Sequence, residues 1–147
     1  MKRLGCSLAL ILATMAAYAQ WSNPGDDVPA YHAESPAKTN QLPPILAGTQ
    51  LTGSHFEFEW QVAIYKEAAK IPGVLFQLPC YCRCDRAMGH QSLRSCFEGL
   101  HGAECSTCLK EAHYAYLMTA KGKTVQQIRE GINHREYESI DYTQVKM

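Results

Sequence analysis

The sequence lacks an excess of charge of either sign, since 14 Lys and Arg residues balance 14 Asp and Glu residues among its 147. No basic stripe indicates a nucleic-acid interface, and no basic amphipathic helix indicates a membrane surface. No apolar run approaches the ~20 residues that span a bilayer. The motifs GxSxG and HExxH and a phosphate-binding glycine loop are missing too. Small molecules, metal ions and other exported proteins remain as partners.

The first nineteen residues have the pattern of a secretory signal peptide. Two basic residues precede an apolar stretch over 8–17, and a small-x-small cleavage site ends at Ala19. Cleavage there predicts an exported protein, periplasmic or extracellular, that keeps six of the seven cysteines. Because exported thiols tend to become disulfides, three disulfides that staple an interaction domain are one interpretation of these cysteines.

The remaining chain divides into a proline-rich leader over 20–54, predicted to be disordered or extended, and a Cys-rich domain over 55–147. The domain is predicted to be mainly α, a small irregular helical domain around a knot of Cys and His residues. Apolar periodicity and turn residues predict helices over 56–70, 74–78, 92–98 and 103–120. A Thr124–Gln127 capping box opens a last helix. Residues 80–85 are expected to be extended or turning.

The central feature is a stretch of thirty residues, 79–108, that contains six cysteines and two histidines. Thiols at this density cross-link, bind a metal or exchange electrons. We refer to the following eight residues as the Cys/His cluster: Cys80, Cys82, Cys84, His90, Cys96, His101, Cys105 and Cys108.

The spacing of the cysteines favours metal binding over simple cross-linking. On an extended strand, Cys80, Cys82 and Cys84 would face one side with neighbouring Cα atoms about 6.6 Å apart, a poor geometry for disulfides between them. Cys105 and Cys108 share one face at a helix start, where the helix dipole stabilises thiolate.

The pairs Cys80/Cys84 and Cys105/Cys108 are close to the paired-cysteine layout of zinc sites, so these four are the first-choice ligands. The other cysteines and both histidines of the Cys/His cluster are the second choice. Copper fits as well, because thiolates suit Cu(I).

Redox chemistry is the main alternative, and the sequence leaves open whether the protein is an enzyme. In a thiol-disulfide oxidoreductase, Cys105 or Cys82 would attack, and a neighbour such as Cys108 or Cys84 would resolve the mixed disulfide.

Several motifs together resemble the PCYCGC-motif exported proteins, also described as the CYCXC family of proteins and selenoproteins. The resemblance lies in Pro79-Cys80-Tyr81-Cys82-Arg83-Cys84, in Gly89-His90-Gln91-Ser92, and in the segment from His101 to Cys108. This chain has Arg83 where many members have glycine. The resemblance implies no settled activity, but selenocysteine in some members implies a reactive chalcogen.

A weaker similarity is to CDGSH iron–sulfur proteins, through Tyr-Cys-Arg-Cys followed by Cys96 and His101. It implies an iron–sulfur cluster as a further, less favoured cofactor.

Overall fold

A computed structural model describes residues 27–38 and 41–147. The predicted signal peptide and Cys6 lie outside these residues. The prediction of a mainly helical fold is confirmed, because the described residues form six α-helices and no strand. The helices are Glu59–Lys70 (α1), Pro72–Phe76 (α2), Cys84–Met88 (α3), His101–Glu104 (α4), Ser106–Ala120 (α5) and Val125–Asn133 (α6). Short 3-10 helices cover Gly48–Gln50, Leu93–Phe97, Glu136–Ser139 and Tyr142–Gln144. No helix in the described ranges is both long and apolar enough to cross a membrane.

The core forms between α1 and α5, which pack against each other, while α6 and α4 contact the remaining sides of α5. Tyr65 of α1 is fully buried and meets Phe56 and Phe97 edge to face, with ring centroids 5.0 and 4.9 Å apart. Its hydroxyl donates a hydrogen bond to the Gly99 carbonyl at 2.7 Å. These contacts fix the segment 93–99, which carries Cys96, against the helical core.

The long helices begin and end close to where periodicity places them. α1 begins at Glu59, because Phe58 is extended and donates its N–H to the Gln61 side chain at 2.9 Å. The predicted capping box of α6 is present. Thr124 Oγ1 accepts the Gln127 N–H at 3.2 Å, and Gln127 Oε1 accepts the Thr124 N–H at 3.0 Å.

Two predicted helices are wrong in detail, and both errors concern the site. The expected single helix over 103–120 is divided at Cys105, which is extended with φ −111° and ψ 107°. The expected helix over 92–98 is a 3-10 turn over Leu93–Phe97. Cysteine side chains therefore project from a helix junction and a tight turn.

The described parts of the leader lie along the domain without regular structure apart from the turn at 48–50. The Ala30 N–H donates to Asp85 Oδ2 at 3.2 Å, and the ring of His32 stacks on Phe76 at 3.7 Å. Further along, the Leu46 N–H donates to the Phe97 carbonyl at 3.0 Å. The leader therefore contacts α2, α3 and the turn Leu93–Phe97, which lie next to the cysteines in sequence. The domain boundary at residue 54 stays a prediction.

Candidate metal centre

Three segments bring the cysteines together: the loop 80–84, the turn Leu93–Phe97 and the start of α5. Pro79 follows α2 and is fully buried, and the Leu93 N–H donates to the Leu78 carbonyl at 2.8 Å. This bond holds the beginning of the loop beside the turn that carries Cys96. Cys105 caps the N-terminus of α5, and Cys108 lies one turn into it.

The loop 80–84 is a turn, one of the two conformations expected for residues 80–85, and is not the extended strand on which alternating cysteines would face one side. The Arg83 N–H donates to the Cys80 carbonyl at 3.3 Å, and Arg83 has left-handed dihedrals, φ 62° and ψ 27°. An L-residue pays about 1–2 kcal/mol for this conformation, which glycine adopts freely. The turn starts α3 at Cys84, so Cys80 and Cys84 face different neighbours.

The sulfur atoms lie close to one another, and their contacts join the loop 80–84, the turn Leu93–Phe97 and the start of α5. Cys80 Sγ lies 3.2 Å from Cys82 Sγ and 3.4 Å from Cys108 Sγ. Cys82 Sγ and Cys108 Sγ are 3.6 Å apart, and Cys84 Sγ and Cys96 Sγ are 3.4 Å apart. All six cysteines of the described residues are free thiols.

Both predicted histidines lie against these thiols. His101 Nε2 is 3.6 Å from Cys82 Sγ, and His90 Nδ1 is 3.4 Å from Cys96 Sγ. The two imidazole rings meet edge to face with centroids 5.4 Å apart. They also line a surface cleft of about 470 Å³, with Met88 and Leu100 on its wall. Solvent and ions therefore have access to the histidine side of the Cys/His cluster.

Three overlapping groups of four donors arise from this geometry. We call them the thiolate group (Cys80, Cys82, Cys96, Cys108), the cleft group (Cys82, Cys84, Cys96, His101) and the helix group (Cys82, His101, Cys105, Cys108). Within each group, the ligand atoms all lie within 4.8 Å of one another.

The spacing of these donors is close to that of a tetrahedral zinc site. Zinc–sulfur bonds of ~2.3 Å place two sulfurs about 3.8 Å apart across a tetrahedron, and a sulfur and a nitrogen about 3.6 Å apart. The observed 3.6 Å between Cys82 Sγ and His101 Nε2 matches the second value. The 3.2 Å contact between Cys80 and Cys82 would open by roughly 0.6 Å. The Cys/His cluster could therefore hold a metal ion.

The grouping differs from the ranking that spacing suggested. Cys80, Cys84, Cys105 and Cys108, the first-choice ligands, do not occur together in any of the three groups. Cys82, a second choice, is the one residue in all three. His90 belongs to none of them and reaches the Cys/His cluster through its contact with Cys96.

The thiols differ in their readiness to ionise. Hydrogen bonds from Cys105 and Cys108 lower the pKa of Cys82 well below its usual range, because the neighbouring thiols donate to its thiolate. Bonds from Cys108 and Cys80 lower the pKa of Cys96 to about 4. The pKa of Cys80 is raised, first by its hydrogen bond with Cys108. Thiolate character thus concentrates on Cys82 and Cys96. Cys108, which is also shared by two donor groups, has a raised pKa, first because of its hydrogen bond with Cys105.

Glu111 is a buried carboxyl group at the site that the sequence analysis did not single out. It is fully buried, and its Oε1 accepts the Tyr81 N–H at 2.8 Å, which anchors the loop 80–84 to α5. Its Oε2 is buried without a hydrogen-bond partner, and burial raises the pKa of Glu111 to about 8. The available signal was its position three residues after Cys108, on the same face of the helix.

Fold and site together define a class: a small helical domain that gathers six thiols and two imidazoles at one place. The chain belongs to the family described as "Protein of unknown function with PCYCGC motif", which it matches over residues 32–144. The resemblance to the PCYCGC-motif family that the sequence indicated is thereby confirmed. No curated protein and no solved structure matches the chain.

Proposed function

We propose that this is an exported metal-binding protein whose Cys/His cluster holds zinc or copper. The observation that carries the proposal is the presence of three four-donor groups whose ligand atoms lie within 4.8 Å of one another. Thiols and imidazoles that serve only in packing are not expected to bring their donor atoms together in this way. Four converging donors match the coordination number of zinc.

The donor chemistry supports a soft or borderline ion. Thiolates prefer Cu(I) and zinc, whereas magnesium and calcium require oxygen ligands. The thiolate group contains sulfur alone, which suits either ion, and the other two groups add an imidazole. The cleft lined by His90 and His101 borders the thiols, because these imidazoles contact Cys96 and Cys82.

Export is part of the proposal and rests on the signal-peptide pattern of residues 1–19. An exported thiol cluster is exposed to oxidants, and a bound ion would protect it by occupying the thiolates. Another exported protein that delivers or accepts the ion is the partner that this role implies.

Competition against a chromophoric chelator tests the proposal, with zinc and Cu(I) offered separately to the reduced protein. His101→Ala removes a donor of two groups, and His134→Ala removes an exposed histidine outside the Cys/His cluster as the matched control. Loss of a group that merely orients a ligand costs about 10- to 100-fold in metal affinity, so loss of His101 should cost at least that much for zinc held by the cleft or helix group. Zinc held by the thiolate group, which lacks His101, should keep its affinity. Failure of the wild-type protein to retain either ion against the chelator would refute the proposal.

Thiol redox chemistry is the second candidate, and Cys82 favours it. Its side chain is partly exposed and its pKa is lowered, first by the hydrogen bond from Cys105, as expected of an attacking thiolate. A metal-free protein with one readily reducible disulfide would favour this function over metal binding.

A further inference from the structure

Cys82 occupies a place in the Cys/His cluster that a single ion does not explain. A mononuclear site uses four donors, yet the described residues supply three such groups, and only Cys82 belongs to all of them. Its sulfur is in contact with Cys80 Sγ at 3.2 Å, Cys108 Sγ at 3.6 Å and His101 Nε2 at 3.6 Å. Cys80 belongs to the thiolate group, Cys108 to the thiolate and helix groups, and His101 to the cleft and helix groups, so all three groups meet at this sulfur.

The way in which the groups overlap decides which can be filled together. A thiolate sulfur has several lone pairs and can bridge two ions, whereas an imidazole nitrogen has one and cannot. The cleft group and the helix group share His101, so they exclude each other. The thiolate group shares two sulfurs with each of the others, Cys82 and Cys108 with the helix group and Cys82 and Cys96 with the cleft group. The thiolate group can therefore be occupied together with one of the others, as two tetrahedra with a common edge. The 3.6 Å contact between Cys82 Sγ and Cys108 Sγ favours the helix group as its neighbour.

The dimensions of the shared edge fit this arrangement. Cys82 Sγ and Cys108 Sγ lie 3.6 Å apart, close to the edge of about 3.8 Å expected for a tetrahedral zinc–thiolate site. Charge supports it as well. Two divalent ions bring four positive charges against the five thiolates of these groups, which leaves a net charge of about −1.

We propose that the Cys/His cluster holds two ions at once, bridged by the thiolates of Cys82 and Cys108. The inference rests on the proposed metal-binding function and adds the number of ions and the bridging residues. The two positions differ in environment. In the thiolate group, Cys80, Cys96 and Cys108 are buried, whereas in the helix group Cys82, His101 and Cys105 are partly exposed. The ion of the helix group is therefore the more readily exchanged.

Native mass spectrometry of the reduced full chain, titrated with zinc, tests the inference by counting ions. The wild-type protein should bind two ions in succession. Cys105→Ser removes a donor of the helix group alone and should bind one. His134→Ala, at an exposed histidine outside the Cys/His cluster, is the control and should still bind two. Loss of one ion in Cys84→Ser but not in Cys105→Ser would overturn the choice of the helix group.

Cys82→Ser removes a bridge and should lose both ions at zinc concentrations that saturate the wild-type protein. Circular dichroism checks that this variant folds, and if it does not, the comparison of Cys105→Ser with His134→Ala decides alone. A single ion in the wild-type protein, retained in Cys105→Ser, would overturn the two-ion inference and leave metal binding intact. No ion in the wild-type protein would instead overturn the proposed function.

Discussion

The buried carboxyl group of Glu111 should make the stability of the protein fall as pH rises. Burial raises its pKa in the folded state from 4.5 to about 8, so the folded protein holds a proton that the unfolded chain releases. A group of this kind contributes most stability below pH 4.5, and the contribution is lost as pH rises towards 8. Each pH unit in this window corresponds to 1.36 kcal/mol, so about 4 kcal/mol should be lost between pH 5 and pH 8.

Glu111→Gln isolates this effect, because glutamine does not titrate and its Oε1 can still accept the Tyr81 N–H. The lowered pKa of Cys96 acts in the opposite direction over the same range, since its thiol ionises earlier in the folded state. The informative quantity is therefore the difference between variant and wild type at each pH. This difference removes the thiol contribution apart from the interaction of Glu111 with Cys80, Cys82 and Cys96.

Urea unfolding at pH 5, 6, 7 and 8, on reduced protein in the presence of a chelator, measures this difference. The free energy of unfolding of Glu111→Gln should rise relative to wild type by about 4 kcal/mol across the range. Glu57→Gln, at an exposed position, is the control and should follow the wild-type curve. Parallel curves for Glu111→Gln and wild type would refute the reasoning, because they would mean that the Glu111 carboxyl does not titrate between these pH values when folded.

Three further predictions concern the local structure, and urea unfolding of the variants tests each of them. Arg83→Gly should be more stable than Arg83→Ala by about 1 kcal/mol, because both lose the side chain and only glycine relieves the left-handed φ of 62°; equal stability would contradict that conformation. Gly102→Ala should lose about 1–3 kcal/mol, since its Cβ would lie 2.8 Å from the Cys96 carbonyl oxygen, whereas Gly73→Ala meets nothing within 4 Å and should lose none. Similar losses in both would contradict the packing beneath Cys96. Thr124→Ala should lose about 1 kcal/mol with its capping bond, and an unchanged stability would mean that the box does not cap α6.

The helices that the sequence predicted well are those whose signals are local. α6 is opened by a capping box that involves residues three apart, and its apolar residues Ile128 and Ile132 follow helical spacing and are buried. α5 ends at Ala120, two residues before Gly122, as periodicity and the glycine indicated. Such signals are readable because each depends on neighbours within one or two turns of the helix.

The break at Cys105 depends on contacts that are distant in sequence. The Ala103 carbonyl, near the end of α4, accepts a hydrogen bond at 2.8 Å from the Gln61 side chain, 42 residues earlier. A local pattern over 103–120 carries no trace of this partner, so the sequence predicted one continuous helix. The start of α3 was missed because it requires a left-handed arginine, which local preferences disfavour.

The membership of the Cys/His cluster was readable from residue density, but its internal arrangement was not. Spacing in the sequence ranked Cys82 below Cys80 and Cys84, because the pairs Cys80/Cys84 and Cys105/Cys108 are close to the paired-cysteine layout of zinc sites. In the structure, the turn closed by Arg83 makes Cys82 the residue common to all donor groups. The role of Glu111 emerges only from the packing of α5 against the loop 80–84.

Metal content and free-thiol count, measured together on the protein purified from its native compartment without added metal, test the central claim most directly. The account predicts stoichiometric zinc or copper, and thiols that become titratable only after the metal is removed with a chelator and the chain is unfolded. A metal-free protein whose six cysteines of the Cys/His cluster are paired in disulfides would contradict it.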